Sequence, residues 1–377
     1  MKKKLFLTLF ILINIALFEG ILSLFDPERI LVKGFDKELL FRMYPNQSGV
    51  VVSEEYSVLV ETNQYGFRQK LYDNQTYDTL VVGDSFTEGW GVEEKEIYTY
   101  IFNQNSNSTR LMNLGLHGSS PILFALQIES YIKKFKPKKI IVQIFDNDLD
   151  DNDKIEVFTD LNSDGTVKGP KSRLAATIFG EGLYNFFKER TLYRLSTKIY
   201  KFFQKQPSPI LYYKVGREPK LTILSHKDSI GKFGGLKALG KEINTKYGNQ
   251  FGFYKDTNEE LWKNRLKKNE IYLNQILQIC KENNVALSFL YIPAKEYFAK
   301  GGITGNIKDF TNEAHKLDNP HFLQIEKICK ENTLICYFAN EYFFDKNPES
   351  LYFPYDAHLN AEGHKTLAEM IKRNFEQ

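Results

Sequence analysis

Five short apolar runs punctuate the chain: Thr79–Val82, Leu111–Leu114, Lys139–Phe145, Ala286–Ile292 and Thr333–Phe338. None alternates cleanly between apolar and polar, so each reads as a strand buried on both faces. Between them the apolar residues recur at helical spacing. Ile122, Leu126, Ile128, Tyr131, Ile132 and Phe135 line one face, and Leu273, Ile276, Leu277, Ile279 and Cys280 line another. A final stretch carries Leu367, Met370, Ile371 and Phe375 on one side and starts near Asn360, a good N-cap residue. Strands alternating with helices predict an α/β fold, a parallel sheet covered on both faces. The hexapeptides Gln278–Asn283 and Lys327–Asn332 share Ile-Cys-Lys-Glu-Asn. Each reads as a helix end leading into a strand, and two copies do not make a repeat architecture.

Two regions break this rhythm. Residues 151–260 hold glycines, lysines and aromatics in irregular order, among them Phe186-Phe187, Tyr212-Tyr213 and Gly231 to Gly240. They read as an insertion over the carboxyl edge of the sheet, either a lid or substrate platform or a helical elaboration that only packs. Residues 26–75 read as an N-terminal extension with weak strand signals. The catalytic core is then divided into 76–150 and 261–377.

At the N-terminus, Lys2-Lys3-Lys4 precedes an apolar run from Leu5 to Phe25. A helix of about 20 residues crosses a hydrocarbon core of about 30 Å, so the run is just long enough. Lysines ahead of it predict a cytoplasmic N-terminus. The expectation is a single-pass anchor in the inner membrane with the catalytic part on the extracytoplasmic (periplasmic) side. A cleaved signal peptide is the rival, but no convincing small-residue cleavage site follows.

Composition narrows the class. With 26% charged and 42% hydrophobic residues in 377, the chain is globular. A net charge of +3, without a basic helix or aromatic-basic repeat, excludes nucleic acid as the expected partner. Cys280, Cys329 and Cys336 are odd in number and form no CxxC pattern. They predict core hydrophobes rather than a disulfide framework or zinc site.

The chemistry gathers at strand ends, where open α/β sheets hold their ligands. Gly83-Asp-Ser-Phe-Thr87 follows the first run, Asn113-Leu-Gly-Leu-His-Gly118 ends the second, and Phe145-Asp-Asn-Asp148 ends the third. Asp356-Ala-His358 lies just ahead of the last helix. A serine hydroxyl needs a base to become a nucleophile, and histidine oriented by a carboxylate is the usual one. Side chains two apart on an extended segment point the same way. Asp356 and His358 can therefore face Ser85 together. The amides of Ser85 and Gly118 and the side chain of Asn147 are the expected oxyanion donors.

These four blocks resemble those of the SGNH (GDSL-type) hydrolase superfamily. The resemblance covers about 75–150 and 265–377. It implies Ser85 as nucleophile, His358 as base, Asp356 as its orienter, and Gly118 and Asn147 as oxyanion donors. It also implies a flavodoxin-like three-layer α/β/α fold and ester chemistry with no metal or cofactor. Two blocks depart from the pattern: Phe145 stands where the third block usually opens with glycine, and the last reads Asp-x-His rather than Asp-x-x-His. The shorter spacing resembles envelope-polysaccharide O-acetyltransferases. The upstream Thr62–Arg68 and the anchor resemble bacterial exported members. The expected function is an exported serine esterase acting on an acylated envelope glycan or lipid. An O-acyltransferase is the alternative, and a non-catalytic glycan-binding protein a third.

Other candidates are secondary. His117 beside Gly118 and Lys295 after the fourth strand are candidate substrate contacts. His364 reads as a first-turn helix residue rather than a second base. Asp160-Leu-Asn-Ser-Asp-Gly165 opens like a calcium loop, but Lys171 stands at its twelfth position, so a hairpin turn is the better reading. The acidic run Asp146 to Asp153 reads as a capped, solvated loop.

Overall fold

The computed structural model describes residues 2–25, 33–52, 55–71, 76–106, 109–171, 212–214, 259–294, 320–343, 346, 350–353, 356 and 358–375. The five predicted runs all enter one parallel sheet. Its strands are β5 (Thr79–Gly83), β6 (Leu111–Gly115), β7 (Lys139–Ile144), β11 (Ala286–Tyr291) and β12 (Tyr337–Phe338). Their order across the sheet is β12-β11-β7-β5-β6. Counted within this sheet alone, that is the 2-1-3-4-5 order of flavodoxin-like folds, whose strand order reverses between the first and third strands. Here the reversal lies between β5 and β7.

Burial explains the strand composition. Leu80, Val81, Val82, Ile140, Ile141 and Val142 are fully buried, as a sheet covered on both faces requires. Helices α4 (Pro121–Phe135), α5 (Asp148–Glu156), α6 (Glu259–Glu282) and α7 (Pro320–Glu331) pack among themselves in one layer. Helices α3 (Tyr98–Asn105), α8 (Ala339–Phe343) and α9 (Ala361–Phe375) form the other. The three-layer α/β/α expectation therefore holds for the described core. Asn360 caps α9 as expected, its Oδ1 accepting from the amides of Glu362 at 3.0 Å and Gly363 at 3.1 Å.

The twin hexapeptides end their helices in the same way. Val285 N–H bonds Cys280 O at 2.9 Å and Leu334 N–H bonds Cys329 O at 2.9 Å, past left-handed residues Asn284 and Thr333. Thr333 thus belongs to the turn, and the strand predicted over Thr333–Phe338 shrinks to its last two residues. The cysteines differ more sharply from expectation. Cys329 and Cys336 form a disulfide across that turn, leaving Cys280 as a buried thiol that burial pushes up to about 12. Spacing alone hid the pair because the turn brings their Cα atoms to 6.3 Å.

The N-terminal extension is built of hairpins. β1 (Lys33–Asp36) pairs with β2 (Leu40–Met43), and β3 (Ser48–Val52) lies between β4 (Ser57–Glu61) and β10 (Tyr212–Lys214). Gln69 ties this layer to the main sheet by bonding both Leu111 O at 3.1 Å and Asn113 N at 2.6 Å, closing the exposed edge of β6. Residues 162–165 turn between β8 (Thr159–Leu161) and β9 (Val167–Pro170), the hairpin expected there, with Gly165 at φ 87°. The acidic run is not solvated, as expected, but buried. Asp150, 6% exposed, pairs with Arg265 at 2.9 Å, and Lys154 bridges Asp150 and Asp151. Asp150 and the half-buried Asp153 meet Arg265 of α6, Asp146 accepts from the Tyr291 hydroxyl, and Asp148 accepts the Phe145 amide. Most of 151–260, the expected lid, platform or packing elaboration, lies outside the described residues.

A helix, α1 (Lys2–Phe25), forms over the predicted apolar run and exposes Phe6, Leu7, Phe10 and Leu17. Among the described residues, no helix is long and apolar enough to cross a membrane. The run Leu5–Phe25 is not described at every position.

Candidate active site

Ser85 opens the one-turn helix α2 (Ser85–Glu88) directly after β5. Asp84 caps it, its Oδ1 accepting the Phe86 amide at 2.9 Å, and donates its own amide to Gln143 Oε1 of β7 at 3.1 Å. Two paired glycines let so short a helix sit on the sheet edge. Gly83 and Gly115 are partners in the β5–β6 register. A Cβ at Gly115 would lie 2.1 Å from Glu88 N and 2.5 Å from Thr87 C, and one at Gly83 would meet Thr87 Oγ1 at 2.2 Å. Asn113 completes the attachment, donating to Thr87 O at 2.6 Å.

The structure brings Ser85, His358 and Asp356 into one hydrogen-bonded chain. Ser85 Oγ stands 2.8 Å from His358 Nε2, and His358 Nδ1 contacts Asp356 Oδ1. With Nδ1–H donated to the carboxylate, Nε2 is left to accept the serine proton. The two residues lie in a turn, not on the extended segment expected. That turn is closed by the Tyr352–Leu359 bridge and by Phe353 N–H on His358 O at 2.8 Å. The rings of Phe86 at 4.9 Å and Trp90 at 6.4 Å flank the imidazole.

Charge in the site favours imidazolium. Burial alone would lower the His358 pKa, but the Asp356 charge and hydrogen bond, with Asp84 and Glu88 nearby, raise it above the ordinary value. Burial works against the Asp356 carboxylate, yet His358 and the Tyr56 hydroxyl more than offset this and lower its pKa. Asp84 is fully buried, and desolvation lifts its pKa to about 7. Asp148, equally buried, is raised well above the ordinary carboxyl value by desolvation and by Asp84.

The three expected oxyanion donors differ in how they are held. Gly118 takes φ 65°, a left-handed conformation that suits glycine. Among the described residues, the amides of Ser85 and Gly118 give no hydrogen bond to another group of the chain, which leaves both as donors. Asn147 lies two residues past Phe145 at the end of β7, as expected, but its amide already gives one hydrogen to Asp151 Oδ2 at 3.1 Å. One amide hydrogen remains. His117 does not stand free in a pocket. Its N–H and Nδ1 meet Glu88 Oε2 at 2.5 and 2.9 Å, and its carbonyl accepts from Lys33 Nζ at 2.8 Å. The loop carrying Gly118 is thereby held from both sides. His364 is the helix residue expected, stacked on Tyr98, and burial takes its pKa down to about 3. Lys295 lies outside the described residues.

Sequence reasoning missed Glu88, Gln143 and Tyr56, and reached Arg68 only as the end of the Thr62–Arg68 block. Glu88 is 3% exposed; burial works against its charge, but His117 and Arg68 lower its pKa. Arg68, 3% exposed, donates to the carbonyls of Gly89 and Val92 beyond α2 and to Leu59 O at 3.1 Å. The available signal was a polar side chain inside an apolar run, and it marks Gln143 within Lys139–Phe145.

No protein-family model matches the chain, and no curated protein matches it. Among solved structures it overlaps a G-D-S-L family lipolytic protein from Veillonella parvula at 8% identity and a TM-score of 0.39, covering 79% of this chain and 98% of that one. It overlaps a psychrotrophic esterase from Pseudoalteromonas sp. at 8% identity and 0.36, covering 80% and 100%. An acetyl xylan esterase overlaps at 11% identity and 0.37, covering 78% and 97%. Overlaps this loose carry no functional argument. What the chain itself presents is a serine–histidine–aspartate chain at the carboxyl edge of a parallel sheet, beside the point where its strand order reverses.

Proposed function

We propose that the chain is a serine esterase of SGNH type that releases a small acyl group from an envelope glycan or lipid. The Ser85–His358 contact at 2.8 Å carries this reading. As Ser85 Oγ attacks the ester carbonyl, its proton passes to His358 Nε2. The oxyanion meets the amides of Ser85 and Gly118 and the remaining Asn147 hydrogen. The carbon–oxygen bond to the alcohol then breaks, and His358 protonates the departing oxygen. Water attacks the acyl-serine, gives its proton to His358, and frees the acid as Ser85 is restored.

Residence outside the cytoplasm belongs to the same proposal. The Cys329–Cys336 disulfide supports an oxidising compartment, and the Leu5–Phe25 run supports a membrane anchor. The test is hydrolysis of 4-nitrophenyl acetate and of an acetylated glycan by the full-length chain, against Ser85→Ala. Activity lost in the variant supports the reading; equal activity in both overturns it. Acyl label recovered on a sugar hydroxyl instead of as free acid would replace hydrolysis by transfer.

A further inference from the structure

Asp356 sits on a short turn, and three groups hold it. One carboxylate oxygen takes His358. The other, Oδ2, accepts from the Tyr56 hydroxyl at 2.7 Å. Its main-chain N–H donates to Glu55 Oε2 at 2.6 Å. Glu55 and Tyr56 come from the N-terminal extension, 301 and 300 residues away in sequence. They are the last residues before β4, and that strand is pinned to the core. Val58 and Val60 are buried, and Leu59 O accepts from Arg68, the same guanidinium that holds Gly89 beyond α2. Tyr56 is itself 8% exposed, with its ring 5.0 Å from Phe353.

We propose that Tyr56 is a positioning residue of the triad: its phenol fixes the outer oxygen of Asp356 and, through that carboxylate, the tautomer and direction of His358. This rests on the triad reading above and extends it to a part of the chain without strand-end chemistry. A carboxylate on a turn can rotate about its last torsion, and a single bond to His358 does not stop it. The phenol supplies a second point and a charge-assisted hydrogen bond. A hydrogen bond to a charged group is strong enough for its loss to cost about tenfold in rate.

The test follows covalent labelling of Ser85 by a fluorophosphonate, read by mass spectrometry on the full-length chain. This needs no knowledge of the natural substrate. Tyr56→Phe keeps the ring and its packing and removes only the hydroxyl. The expected result is labelling about tenfold slower, with an unchanged melting temperature and unchanged probe saturation. In an Asp356→Ala background, which leaves the phenol no carboxylate to act through, the same substitution has no further effect. A Tyr56→Phe chain that labels at the wild-type rate overturns the proposal. So does an equal loss in both backgrounds, which marks a merely structural role. Wild-type chain that does not label at Ser85 overturns the triad reading, and this one with it.

Discussion

Ser85 Oγ and His358 Nε2 lie 2.8 Å apart although 273 residues separate them in sequence. Each is held by a separate device, α2 for the serine and the turn ahead of α9 for the histidine. If the two act together, removing either removes the catalytic unit. Ser85→Ala and His358→Ala should each lower ester turnover by about 10⁴-fold, and the double variant should be scarcely worse. Steady-state rates on 4-nitrophenyl acetate check this. Additive losses would sink the unit.

Asn147 keeps one amide hydrogen beside its bond to Asp151, and the proposed reaction assigns that hydrogen to the oxyanion. Asn147→Ala should cost about 10²-fold in kcat with KM little changed, since the donor matters most in the transition state. A loss confined to KM would move Asn147 from oxyanion donor to ground-state contact.

The pH profile tests the charges around His358. Only the neutral imidazole can take the serine proton, and the neighbouring carboxylates raise its pKa. The rate should therefore rise with pH to a plateau, with a midpoint above 6.5. Asp84→Asn removes one of those charges and should move the midpoint down.

Asp84 also predicts a stability effect. Its pKa is 3.8 in an unfolded chain and about 7 when buried here. Within that window the folded state holds a proton that the unfolded state releases, so stability falls as pH rises. Asp84→Asn keeps the cap to Phe86 and carries no charge. Its melting temperature should gain on the wild type from pH 3.8 to about 7 and hold that gain above. A gain largest in acid would reverse the sign and refute the argument.

Gly115 tests the seat of α2. A methyl group there meets main-chain atoms of Thr87 and Glu88, which cannot swing aside. Gly115→Ala should destabilise by about 1–3 kcal/mol and shift Ser85 away from His358. Thermal melts and fluorophosphonate labelling should fall together.

The core elements were legible because their signals are local. Buried runs mark β5, β6, β7 and β11, and spacing along single helices marks α4 and α9. The blocks ending these strands were equally legible, since a parallel sheet presents its carboxyl ends on one edge. β12 was misread because β-branched Thr333 and apolar Leu334 suit a strand but here complete a helix turn. The acidic run was misread because carboxylates are usually solvated, and only the packing of α6 supplies Arg265 and Lys268.

Taken alone, the sequence determined the alternation of strand and helix, the candidate serine and histidine at the strand ends, and the membrane-like apolar run. These follow from side-chain periodicity and from residue types at strand ends. The tertiary structure decided which distant groups share a carboxylate. It set Tyr56 and Glu55 on Asp356, Glu88 on His117, and Cys329 against Cys336. Such pairings depend on how separate elements are packed and turned, and no spacing along the chain records that. A buried charge reveals its partner only once the fold has removed the water that would otherwise screen it.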